Sequence, residues 1–181
     1  MNVLKSSQLL SNWSTTFIIY GSVLGVVSTL LTSAGMLGGV GFLLSASSTL
    51  PILLATSLSV QSGIISYGVA TILFAFIQPS EMFAFPLTTG LLGIVIGLGF
   101  RFFQRVRYVT YVSGVCLTIG ILFLIQVLQF PVLGPDITQL TWITILGILI
   151  FSFLYSWLWV YLSSIVRKKK KTAKQKAEIE I

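Results

Sequence analysis

Before the C-terminal tail the chain carries two acidic residues, Glu81 and Asp136, and nowhere a histidine. Without histidine it lacks the commonest general base near neutral pH and the commonest metal ligand. The single cysteine, Cys116, stands inside an apolar run, where it reads as a small buried residue and allows neither a disulfide nor a cysteine metal site within the chain. No HExxH, GxSxG or phosphate-binding loop occurs, and no pair of carboxylates falls inside an apolar stretch. The expectation is a non-enzyme without metal or cofactor, and any energy it uses must come from another subunit. What remains is binding chemistry: Gln78 and Glu81 beside Phe83, Gln126, and Asp136 with Trp142, polar groups among aromatic walls. These residues read either as a small-molecule site or as interfacial residues wetted by headgroups.

The elements that hold these residues are set by apolar length. Hydrophobic residues make up 55% of the 181 and charged residues 8%, and from Ser6 to Ser80 there is no charged residue. A soluble domain carries roughly 25% charged residues. The run Met82 to Phe100 is bracketed by Glu81 and by Arg101, Arg105 and Arg107. At about 1.5 Å per residue it spans roughly the 30 Å hydrocarbon core. The whole chain divides into six spans at about 16–33, 36–58, 61–77, 82–100, 108–128 and 140–166, an all-α membrane bundle in one domain, followed by a basic tail over 167–181.

Small residues and prolines mark the packing. Gly21 and Gly25 in the first span, and Gly93 and Gly97 in the fourth with Gly90 one turn earlier, form GxxxG-type faces on which another helix can lie closely. In the first span the neighbour is either a helix of the same chain or a partner subunit. Pro51 predicts a kink in the second span, either packed against neighbours or lining a cavity. Pro86 is expected in the first turn of the fourth span, where its missing donor costs little. Pro131, Gly134 and Pro135 make an ordered loop before the last span, whose Trp157, Trp159 and Tyr161 suit an interfacial aromatic belt.

The net charge of +7 is an end effect, because seven of the eleven basic residues lie between Arg167 and Lys176. Arg167, Lys168 and Lys169 directly after a span read as a membrane anchor rather than a nucleic-acid surface. With Glu81 and Asp136 on one side and Arg101, Arg105, Arg107 and the tail on the other, the positive-inside rule has one solution. Both termini are cytoplasmic and the Glu81 and Asp136 connections face out, in a bacterial inner membrane. The tail from Thr172 onward reads as a frayed continuation of the last helix or as disordered.

Six spans, both termini inside, and a middle section running from Leu50-Pro51-Ile52-Leu53-Leu54-Ala55 through Gly63, Gly68 and Pro79 to Gly90-Leu91-Leu92-Gly93 and Gly97 with a basic end resemble the substrate-binding S components of energy-coupling factor vitamin transporters. The resemblance is one of layout over roughly 51–107. It implies a vitamin-type ligand near the outer face, and a transmembrane coupling subunit driven by two ATPases. Carried over, it makes Gly21 and Gly25 the coupling face and Gln78, Glu81, Asp136 and Trp142 the ligand site. Rod-shape accessory proteins, which are scaffolds, have a similar layout, and an accessory subunit beside an ABC transporter fits it too.

Overall fold

The computed structural model describes residues 2–103, 105–129 and 141–179, with side chains described between Thr15 and Ile165 in those ranges and at Arg167. Among them every regular element is helical: α1 (Asn2–Ser33), a 3₁₀ turn (Ala34–Leu37), α2 (Val40–Ala46), α3 (Thr49–Leu58), α4 (Val60–Ile77), α5 (Glu81–Leu87), α6 (Thr89–Phe102), α7 (Val106–Gln126) and α8 (Trp142–Ile179). Six stretches are long and apolar enough to cross a membrane: Thr15–Leu37, Val40–Leu58, Val60–Ile77, Glu81–Phe102, Val106–Gln126 and Trp142–Ile165. The chain is a multi-pass helical membrane protein. The 130–140 connection, with Asp136 and the start of the expected last span, lies outside the described residues.

The spans do not pack in chain order. α1 lies on α4, α4 on α3, α3 on α6, α6 on α7, and α7 on α8, so α3 is central. Glycine makes the close approaches. A Cβ at Gly21 would stand 2.8 Å from the Ser62 carbonyl oxygen, and one at Gly25 2.7 Å from that of Ser66, so both glycines are covered by α4. Gly93 faces Ile52 and the Thr49 carbonyl, Gly97 lies against Thr56, and Gly90 sits on Phe85 and Tyr67. Two apolar clusters fill the interior. One joins Leu53, Leu92, Ile96, Leu117 and Val160, and the other Ile52, Ala70, Phe74 and Phe85.

Several expectations shift. The turn between the first two spans is at Gly38 and Gly39, both with positive φ (65° and 47°), rather than at 34–35. L side chains avoid that conformation, which explains why the two glycines fall there. Trp159 is 6% exposed and belongs to the larger apolar cluster, so it is no belt residue; Trp157 and Tyr161 are exposed and stack at 5.7 Å. Cys116 is half-buried rather than buried. The last helix continues past Ile165 to Ile179.

Both proline-containing spans are discontinuous. In the second span helicity stops at Ser47 and Ser48, just before α3. Pro51 has no N–H to offer the Ser47 carbonyl four residues back, and the Leu50 N–H turns to that carbonyl instead (2.9 Å). In the fourth span Pro86 is not in the first turn: α5 starts at Glu81 and ends at Leu87, and Thr88 (φ −119°, ψ −98°) separates it from α6.

Candidate functional site

A helix interrupted in lipid must place its freed carbonyls somewhere, because the hydrocarbon offers no water. At the second-span interruption, Tyr155 of α8 donates its hydroxyl to the Ala46 carbonyl (2.8 Å), and Thr49 Oγ1 lies 3.5 Å from the Tyr155 hydroxyl oxygen. Ser28 of α1 donates to the Ser48 carbonyl (2.9 Å). Three spans therefore meet at one polar point near the middle of Val40–Leu58. Thr49 and Ser28 are fully buried there.

Buried hydroxyls in the bundle are answered in different ways. Several return their proton to the carbonyl one turn back, as Thr29 does to Gly25, Thr56 to Ile52, Ser113 to Val109 and Ser163 to Trp159, and Ser62 donates to the Phe17 carbonyl of α1. Ser48, Ser152 and Ser156 are fully buried, and their Oγ atoms meet no hydrogen-bond partner among the described residues. Ser152 and Ser156 lie three residues before and one after Tyr155. Helical spacing puts them on the inward face of α8 between Phe153, which rests on Gly114 of α7, and Tyr155, which reaches α2. The Trp159 indole, one turn on, stands edge-on to the Tyr155 ring at a centroid distance of 6.1 Å. Two more unpartnered serine hydroxyls sit apart, Ser33 at the end of α1 and Ser66 on α4 under Gly25.

Such a point can donate to and accept from a neutral polar group. It holds no carboxylate, ammonium or imidazole, so it offers no proton-transfer couple at neutral pH. Among the described residues no three His, Cys, Asp or Glu side chains come together. Cover is thin on one side: α2 packs mainly against α1 and the 3₁₀ turn, and its Val40, Phe42 and Leu43 are exposed.

The sequence-predicted binding residues lie elsewhere, at the end of the bundle marked by Glu81. Gln78 closes α4, is half-buried, and has its Oε1 unpartnered; the Glu81 N–H bonds its carbonyl (2.9 Å). Phe83 is half-exposed on α5. Gln126 stands exposed at the end of α7, and Trp142 is 86% exposed at the start of α8. The structure thus brings Gln78 and Glu81 together and shows no described contact from Gln126 or Trp142 to them. Asp136 lies outside the described residues. At the opposite end Arg101, Arg105, Arg107 and Arg167 are all exposed, and the side chains of Lys168 and Lys169 are outside the description.

Sequence reasoning missed Ser48, Ser152, Tyr155 and Ser156 as a group. The available signal was the Ser-xxx-Ser spacing in α8 combined with the serines before Pro51. No protein-family model, no curated protein and no solved structure matches the chain.

Proposed function

We propose that this chain is the substrate-binding membrane subunit of a bacterial uptake system for a vitamin-sized micronutrient, without catalysis of its own and with both termini cytoplasmic. The observation that carries the reading is the interrupted second span, where Ser48 leaves a buried hydroxyl unpartnered and Tyr155 bonds the Ala46 carbonyl, while Ser152 and Ser156 are likewise unpartnered on the same helix as Tyr155. Buried polar groups are paired as a rule, and one left open costs about 1–3 kcal/mol. In many transporters the substrate site near the bilayer midplane is formed by interrupted helices. The half-helix α2, little packed and jointed at Gly38–Gly39 and at Ser47–Ser48, is the segment that would swing to admit a ligand. Gln78 and Glu81, at the same end of the bundle as the entry to α2, would meet the ligand first. Energy would come from a partner membrane subunit and its ATPases, since the sequence has no nucleotide-binding loop.

One observation favours the scaffold reading instead. Gly21 and Gly25, the stripe that the transporter resemblance assigns to the coupling subunit, are covered by α4 within the chain.

Purification of the tagged chain from its own membranes, followed by mass spectrometry of retained small molecules and co-purifying subunits, separates the two. A vitamin-sized neutral compound together with ATPase subunits is the expected result. Envelope-assembly proteins with no retained compound would replace the uptake reading with the scaffold.

A further inference from the structure

At the basic end of the bundle a cleft of about 490 Å³ opens between α1, α3 and α8. That volume lies inside the range of roughly 300–1,000 Å³ typical of small-molecule sites. Its walls are Tyr20, Val23 and Leu24 of α1 and Leu50, Leu53 and Leu54 of α3; its polar lining is Ser57, Ser163 and Arg167. The polar groups gather at one end. Arg167 follows the last membrane-spanning residue of α8 by two positions, and Leu58, which also lines the cleft, closes the second span. From Leu58 back to Leu50 the cleft follows α3 for eight residues, about 12 Å, against about 15 Å for half of the hydrocarbon core. The cleft is therefore one leaflet deep, apolar below and cationic at the interface.

We infer that this cleft holds one phospholipid with an anionic headgroup, an acyl chain along Leu50, Leu53 and Leu54 and the phosphate at Arg167. An acyl chain alone gains little there, because the surrounding lipid is as apolar as leucine. Selection must come from the headgroup, and the charge is complementary. Arg167 spends one N–H on the Phe100 carbonyl (3.4 Å), with its guanidinium carbon 4.6 Å from the Phe100 ring centre, and a guanidinium has five donors. Arg101 is anchored similarly, donating to the Leu58 carbonyl (3.2 Å) at the mouth of the cleft. Both guanidinium groups are thus held at helix C-termini and face a phosphate already oriented, the arrangement in which arginine binds phosphate best. Among residues with described side chains the sole acid, Glu81, is at the other end of the bundle. This assignment is independent of the uptake reading.

The chain reconstituted in bilayers of equal parts phosphatidylglycerol and phosphatidylcholine, then released for native mass spectrometry, tests it. The expected spectrum shows one retained lipid per chain, with phosphatidylglycerol favoured about tenfold, as two nearby arginines can supply. Arg167→Ala should bring the preference down to about threefold, the share one remaining arginine supplies. Leu54→Trp, at a residue 38% exposed that tolerates bulk, should displace the lipid while the bundle stays folded. Arg105→Ala, at the same end but away from the cleft, should leave the preference intact. Equal retention of the two lipids by the parent chain would overturn the assignment. So would an equal loss in Arg105→Ala and Arg167→Ala, which would mean diffuse charge. A lipid-free dimer mass would give the cleft to a second copy of the chain.

Discussion

The two interrupted spans solve the same problem with different completeness. In each, a tyrosine from another helix donates to a carbonyl that the interruption leaves available: Tyr155 to Ala46 at 2.8 Å in the second span, Tyr67 to Pro86 at 3.2 Å in the fourth. The fourth span is otherwise closed. Thr88 returns its hydroxyl to Ala84, Gly120 of α7 packs directly on the Leu87 carbonyl, and Phe74 and Phe85 fill the space at a centroid distance of 4.8 Å. Around the second span the serines remain open. A proline interruption by itself thus says nothing about function; the difference lies in whether the freed polarity is fully answered by the chain.

That contrast can be broken by substitution. The largest effect is expected for Gly120→Val, whose new side chain would collide with the Leu87 backbone carbonyl. Overpacking of that kind costs about 1–3 kcal/mol, more where backbone must move. Thermal unfolding in detergent should show a large drop, and an unchanged transition would mean the fourth-span interruption is not tightly closed. Next in size is the tyrosine pair. Tyr155→Phe should cost about 1 kcal/mol, the scale of interhelical hydrogen bonds in membranes, and also abolish retention of the co-purifying compound. Tyr67→Phe should lower stability by no more than that and leave retention unchanged. Equal effects of the two on retention would erase the functional distinction.

The smallest change, and the sharpest, is expected from the serines. Ser152→Ala and Ser156→Ala remove hydroxyls that have no partner, so the ligand-free protein should gain stability or stay level, by up to about 1 kcal/mol. Ligand retention should fall in both. Thr88→Ala, which deletes a satisfied hydroxyl, should move neither quantity beyond a few tenths of a kcal/mol, as back-bonds of this kind contribute little. If the serine variants keep full retention, the open hydroxyls are packing defects and the uptake reading loses its basis.

The six spans were legible because apolar length against bilayer thickness is a strong constraint, and Glu81 and Arg101 bracket one span unambiguously. The glycine faces were legible as faces but not as pairings: Gly21 and Gly25 could have met any helix, and only the assembled bundle selects α4. Pro51 announced an interruption, yet its effect falls at Ser47 and Ser48, because the missing bond belongs to the carbonyl four residues back. Tyr155 to Ala46 spans 109 positions, and nothing local in either segment encodes the partnership. Trp159 was misread for a related reason. Composition places aromatic residues near an interface, whereas the rotation of α8 about its axis decides which of Trp157 and Trp159 turns inward.

The unbroken course of α8 past Ile165 has a consequence of reach and screening. The helix runs 14 residues further, to Ile179, which is about 21 Å of rod beyond the hydrocarbon. Lys168 through Lys171 fall within the first 9 Å or so, about one Debye length at physiological salt, and feel the headgroup field. Glu178 stands about 20 Å out, where that field is screened. Added salt should therefore weaken the pull of the surface on the first turns of this rod while leaving its far end indifferent, and the rod would change its hold on the surface without changing its length.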